Sequence, residues 1–221
     1  METVTKELRS RRDPERTRHR ILTAAQKEFS GGGFYGARVD RIAQAAGTNE
    51  RMLYYYFGSK DRLFLAVLDH VLESLKADER SLDLTLLSPE EGVMRVAHFL
   101  WDYYRDHPDL VRLLNDENLR EGKLTKETTD LRRIVSPGFE ALTRALDRGK
   151  QAGVFRDDVD PAKLYTVLSA LGYYIVSNRF TLEATLGVDL SDPAEARRMR
   201  QMNTELVLSY LTHREPVMAA S

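Results

Sequence analysis

The chain has 221 residues, of which 42% are hydrophobic and 30% charged, and it has no cysteine. That is enough chain for one large domain or two modest ones around a proper core, which argues against bulk disorder. The lack of cysteine removes both a disulfide framework and a thiolate metal site.

The net charge of −1 conceals an asymmetry. Residues 1–60 carry twelve Lys and Arg against seven Asp and Glu, whereas residues 61–221 carry twenty-one against twenty-seven. A basic front on an acidic remainder is the footprint of a nucleic-acid-binding segment joined to a part that avoids nucleic acid. With no apolar leader and no uncharged apolar run of about 18 residues, the reading expects a cytoplasmic protein with no membrane partner.

In chain order, nearly every segment reads as helix, and the period-two alternation of strands is missing. Residues 1–12 (METVTKELRSRR) read as a flexible basic arm carrying Lys6, Arg9, Arg11 and Arg12. Asp13-Pro14 is a helix start, with an N-cap oxygen followed by a proline at the first helical position. Ile21, Leu22, Ala25 and Phe29 give that helix a buried stripe, and Gly31, Gly32 and Gly33 end it. Short helices follow over about 39–46 and 50–57, broken by Gly47 and Gly58. Ser59 caps a long amphipathic helix that fades near Leu86.

Ser88-Pro89-Glu90-Glu91 has the form of a capping box, and helices are expected over 89–106, 108–121, 125–152, 161–186 and 193–212. Pro137 predicts a kink or break within 125–152. Asp160-Pro161 and Asp192-Pro193 repeat the start signal of Asp13-Pro14.

The informative stretch is VDRIAQAAGTNERMLYYYFGSK, from Val39 to Lys60. Two short helices that cross steeply need a small residue under the crossing, here Ala43. They also need a glycine able to turn left-handed, here Gly47, and an apolar plug, here Leu53 beside Ile42. Asn49 offers an N-cap oxygen to the second helix. Glu50, Arg51 and Met52 then fall in its first turn, where a recognition helix meets base edges. Arg51 is suited to the O6 and N7 of guanine, and Met52 to a thymine methyl. Tyr54 and Tyr55 present hydroxyls and rings towards DNA, while Tyr56 and Phe57 are read as partly core. Arg38 and Lys60 complete the expected DNA-binding set, with Lys60 as a phosphate contact.

On these residues the segment from Ile21 to Leu68 resembles the DNA-binding domain of the TetR family. The turn after the first helix appears as FSGGGFYGARV, and the helix-turn-helix with its exit as IAQAAGTNERMLYYYFGSKDRL. Departures fall at Arg38, Thr48, Asn49, Arg51 and Met52. Framework residues agree while readout residues differ, which points to the same fold reading another operator.

The resemblance implies an all-α protein: a three-helix helix-turn-helix domain over 13–60, then a helical ligand-binding and dimerisation domain over 61–221. It implies a homodimeric, cytoplasmic repressor on double-stranded operator DNA, released by a small-molecule effector through the long helix after Lys60. An activator or a non-sensing DNA-binding dimer is the alternative. Two wide apolar helices support the dimer: one carries Leu164, Val167, Leu168, Leu171, Ile175 and Val176, the other Met199, Met202, Leu206, Val207, Tyr210 and Leu211.

By residue type and helix, Trp101, Tyr104, Asn118, Phe139, Tyr173, Tyr174 and Asn178 are the expected pocket residues. The five histidines are scattered, and no catalytic constellation or phosphate loop is present. No enzyme activity, metal or cofactor is expected.

Overall fold

In the computed structural model the described residues are 2–123 and 136–213, with side chains described from residue 14 onward. They form ten α-helices, and no strand occurs among them. The helices are α1 (Glu2–Gly36), α2 (Val39–Ala45), α3 (Glu50–Phe57), α4 (Lys60–Glu79), α5 (Pro89–Asp106), α6 (Pro108–Leu119), α7 (Pro137–Gln151), α8 (Pro161–Ser177), α9 (Arg179–Leu186) and α10 (Pro193–Thr212).

Two compact units result, one of residues 1–73 with 109–133, the other of 74–108 with 134–221. This differs from the expected division after Lys60, because the first turns of α4 belong to the core of the first unit. Leu63, Phe64, Val67 and Leu68 are fully buried. The Phe64 ring meets Phe29 edge-on at 5.1 Å and Phe34 at 5.5 Å. Each such side chain removed from water contributes about 1.5–3 kcal/mol.

The first unit also takes in α6. Asp116 accepts the Phe34 N–H at 2.9 Å, and the Arg120 guanidinium lies 3.6 Å over the Phe34 ring. Arg120 also reaches Asp61 at 3.5 Å.

In the second unit α5 packs against α7, α8 and α10. Gly172 brings α8 onto α5, since a Cβ there would stand 3.2 Å from Trp101 Cα. Arg200 on α10 pairs with Asp102 on α5 at 3.0 Å, and His98 meets Thr204 at 2.9 Å.

The predicted helix starts at Ser88, Asp160 and Asp192 reappear as caps. Ser88 and Glu91 form the full capping box, Asp160 accepts from Ala162 and Lys163, and Asp192 accepts from Ala194.

Three boundaries differ from expectation, while the break predicted at Pro137 is found. α1 begins at Glu2 instead of Asp13 and contains Pro14. Residues 2–12 are rich in strong helix formers, and a proline removes one N–H bond without forbidding helix on both sides. The side chains of the arm, Lys6, Arg9, Arg11 and Arg12, lie outside the described residues. α4 ends at Glu79, well before Leu86. Turn bonds take over from Ser81 N–H to Asp78 O and from Leu82 N–H to Glu79 O, and Arg148 donates to the carbonyls of Leu84 and Leu87. Pro137 opens α7, capped by Ser136, while residues 124–135 of the expected 125–152 helix lie outside the described residues. The expected helix over 161–186 is broken at Asn178. Asn178 leaves the helical backbone at φ −109° and ψ 12°, and its side-chain Nδ2 donates to Tyr174 O at 2.9 Å.

Candidate nucleic-acid interface and sensor cavity

The turn between α2 and α3 is built as its chemistry requires. Gly47 sits at φ 62°, which a residue with a Cβ adopts only under strain. Gly47 N–H donates to Gln44 O and Thr48 N–H to Ala43 O, both at 3.0 Å, so the turn amides are satisfied. Ile42, Ala43 and Leu53 are buried between the helices. Asn49 Oδ1 accepts the Met52 N–H at 3.0 Å and caps α3.

Burying Leu53 and Phe57 on one side of α3 turns the other side outward. Asn49, Glu50 and Arg51 are exposed, as are Tyr54 (43%) and Tyr55 (77%). Met52 and Tyr56 are half-buried at the margin, with the Tyr56 ring edge-on to Tyr55 at 5.3 Å. Five of the expected DNA-binding residues therefore share one open face, with Met52 at its edge.

Arg38 and Lys60 are placed differently. The Arg38 guanidinium is clamped on both oxygens of Asp40, at 3.0 and 2.7 Å. That hydrogen-bonded pairing raises Arg38 and holds the Asp40 carboxyl below the usual carboxylate range. Lys60 Nζ donates to Ala37 O at 2.6 Å and lies 4.9 Å over the Phe34 ring. Its ammonium is turned into the protein, tying the start of α4 to the α1–α2 connection. A phosphate contact from this position requires that bond to open.

Sequence reasoning missed two exposed arginines of α1. The Arg18 guanidinium lies 5.2 Å over the Phe57 ring, and Arg20 flanks Gly47, with Nη1 3.7 Å from where a Cβ would stand. Their signal was the basic run ERTRHR at 15–20, which only the fold carries to the helix-turn-helix.

In the second unit a cavity of about 490 Å³ opens between α5, α8, α9 and the connection to α10. Its apolar walls include Trp101, Ile175, Val176, Phe180 and Leu190; its polar groups are Arg105, Arg179, Glu183, Asp189 and Ser191. Asp189 is engaged by the Ser191 amide and hydroxyl at 2.8 and 2.6 Å, and Arg105 by Asp102 and Asp106. The size falls within the range of small-molecule sites.

Of the expected pocket residues, Trp101 lines this cavity. Tyr104 and Tyr173 meet edge-on at 5.7 Å beside it in sequence on α5 and α8. Phe139 packs edge-on against Tyr165 at 5.8 Å. Tyr174 is 56% exposed, Asn178 is the break after α8, and Asn118 belongs to the first unit on α6.

A buried polar knot lies in the same unit and had no sequence signal. Glu79, 2% exposed, accepts from Ser136 Oγ and from Tyr165 Oη at 2.9 Å. Burial pushes the Tyr165 hydroxyl well above its ordinary value and raises that of Tyr104, and the negative charge of Glu79 adds to both.

Comparison with known proteins decides the lineage. Residues 21–67 match the family model for bacterial regulatory proteins of the tetR family, and residues 89–207 match the tetracyclin repressor-like C-terminal domain. The chain is 41% identical over 178 residues to the HTH-type transcriptional repressor NicS of Pseudomonas putida, covering 80% of this chain and 84% of that protein.

The chain belongs to the TetR family.

It is thus a DNA-binding transcription regulator of a family rich in repressors. A second relative, the HTH-type transcriptional repressor SCO4008 of Streptomyces coelicolor, is 32% identical over 169 residues, covering 75% of this chain and 81% of that one. Among solved structures, the transcriptional regulator SCO4942 of Streptomyces coelicolor superposes with a TM-score of 0.63 at 25% identity, covering 86% of this chain and 97% of that one. The TetR family regulator PfmR of Thermus thermophilus does so with 0.62 at 26%, covering 87% and 99%. No helix among the described residues is long and apolar enough to cross a membrane.

Proposed function

We propose that this TetR family member is a homodimeric repressor whose operator binding is relieved by a small molecule held in the cavity between α5, α8 and α9. The observation that carries the DNA reading is the open face of α3. Arg51, Tyr54 and Tyr55 stand outward on a helix anchored by Leu53 and Phe57 and capped by Asn49. Such a face enters the major groove, with Arg51 reading guanine and the tyrosines contacting thymine methyls or phosphates.

The dimer reading rests on an apolar stripe along α8 and α10. Val167, Tyr174, Met202, Leu206 and Tyr210 are each between 45 and 56% exposed. Large apolar residues grouped in this way are surface waiting for a partner. A two-fold dimer presents two recognition helices to successive major grooves, roughly 34–36 Å apart. An effector that favours a conformer with another separation lowers operator affinity by its differential affinity for the two states. α4 is the covalent route for that change: it runs unbroken from Lys60 in the first unit to Glu79 in the second.

The test is binding of the full chain to fragments of its own promoter region at stated salt, with and without a metabolite panel. Wild type is expected to bind one palindromic fragment tightly and to be released by one compound class. Arg51→Ala is expected to lose about 1–3 kcal/mol on that fragment and far less on random DNA. Equal losses on both would reduce Arg51 to a phosphate contact. No fragment-specific binding by wild type would overturn the reading.

A further inference from the structure

The two sides of the cavity are held unequally. Trp101, Gly172 and Ile175 line it from α5 and α8 and are buried in the core of their own unit. Arg179, Phe180 and Glu183 line it from α9, an eight-residue helix none of whose residues is buried. Isolated helices shorter than about 12–15 residues do not persist in water without tertiary packing. α9 nonetheless carries Phe180 and Leu186, 68% and 71% exposed. A helix this short, with its large apolar residues in solvent, needs an external surface to lie on.

The surface next to it indicates which. α9 begins one residue after α8, and α8 carries no charged residue from Leu164 to Asn178. A helix that is apolar nearly all round is expected to be buried nearly all round; this one has only Thr, Ser and Tyr as polar residues over 164–177, yet Val167 and Tyr174 are half in solvent. Exposed apolar residues continue along the chain from Val167 and Tyr174 on α8 to Phe180 and Leu186 on α9, and α10 adds Met202, Leu206 and Tyr210. A second copy of the chain would bring the same apolar residues to this surface across a two-fold axis, and depletion of charge at its centre is the mark of such an interface.

We infer that the cavity is completed only in the dimer, where α9 of each protomer is seated on the second copy and is thereby held as a wall. The inference rests on the homodimer reading above and goes beyond it: effector binding and dimerisation become linked, each strengthening the other. A monomer keeps the Trp101 side of the cavity and loses the α9 side.

Trp101 is the single tryptophan of the chain and lies in the cavity wall, 7% exposed. Acrylamide quenching of its fluorescence therefore reports whether the cavity is closed, without knowledge of the effector. The full chain is diluted through its dimer–monomer transition, followed by sedimentation, while quenching is measured at each concentration. The quenching constant is expected to rise severalfold as dimers dissociate. Leu186 does not line the cavity, so Leu186→Glu probes seating alone: it should weaken dimerisation roughly tenfold or more and raise quenching in the dimer that remains. Leu206→Glu on α10 splits the dimer without touching α9, and its monomer should show the high quenching of diluted wild type. Circular dichroism confirms that both variants are folded.

Unchanged quenching across the wild-type transition overturns the inference and leaves the dimer reading standing. So does a Leu186→Glu protein with wild-type dimerisation and quenching. A wild-type chain that is monomeric at every concentration removes the dimer reading, and the inference with it.

Discussion

Replacing Asn49 with alanine tests how one hydrogen bond supports DNA reading. Asn49 Oδ1 accepts the Met52 N–H at 3.0 Å, the side-chain cap of a helix of only eight residues. Loss of an N-cap costs about 1 kcal/mol, within a range of about 0.5–2. Thermal unfolding of Asn49→Ala should therefore come about 2–8 °C below wild type. In the proposed dimer, with two recognition helices, the DNA consequence is larger. If about 1 kcal/mol is spent re-forming the first turn of each α3, operator affinity falls about fivefold per helix and about thirtyfold per dimer. Fluorescence anisotropy with the promoter fragment measures this.

Asn49→Ser separates the cap from any base contact, since serine caps as well as asparagine but has no amide donor. Rescue of both melting temperature and affinity assigns Asn49 to the cap alone. Rescue of melting temperature only adds a DNA contact through Nδ2. An Asn49→Ala protein that melts with wild type and binds as tightly would refute the reasoning.

Three further outcomes follow from the packing. Tyr165→Phe removes the hydroxyl that donates to Glu79 at 2.9 Å, and urea unfolding should show a loss of about 1.5–3 kcal/mol, the range for a bond to a charged acceptor. Because burial raises the Tyr165 hydroxyl above its ordinary value of 10.0, its stabilisation is full below about pH 10 and lost as pH rises further. The alkaline limb of the wild-type stability curve should thus be steeper than that of Tyr165→Phe. Gly149→Ala places a Cβ 2.0 Å from the Phe155 ring, so at least about 1–3 kcal/mol of overpacking should appear in the same assay. Arg120→Lys keeps the charge but loses the planar group stacked 3.6 Å over Phe34. Chemical denaturation should show a loss of about 1–2 kcal/mol, and a variant as stable as wild type would show the stacking to be idle.

Much was legible in the linear chain because its signals are local. Caps act within three or four residues, so Ser88, Asp160 and Asp192 announced α5, α8 and α10. The helix-turn-helix is one short span in which Ala43, Gly47, Asn49 and Leu53 are each constrained by a neighbour. Helical geometry alone separates outward Tyr54 and Tyr55 from inward Phe57.

What required the tertiary structure depends on groups distant in sequence. Lys60 reads as a phosphate ligand until Ala37 O is seen to hold its ammonium. Arg120 and Asp116 have no signal in the chain for their contacts with Phe34, which lies more than eighty residues away in sequence. The Glu79 knot joins α4, α8 and the cap before α7, and the cavity draws on α5, α8 and α9, so neither has a spacing to read. A side chain's type and local period come from its near neighbours, whereas its partners are chosen by packing across the fold. The sequence by itself determined the all-helical class, most of the caps and the outward face of α3; only the tertiary structure decided which charges are committed within the protein and which wall of the cavity lacks support.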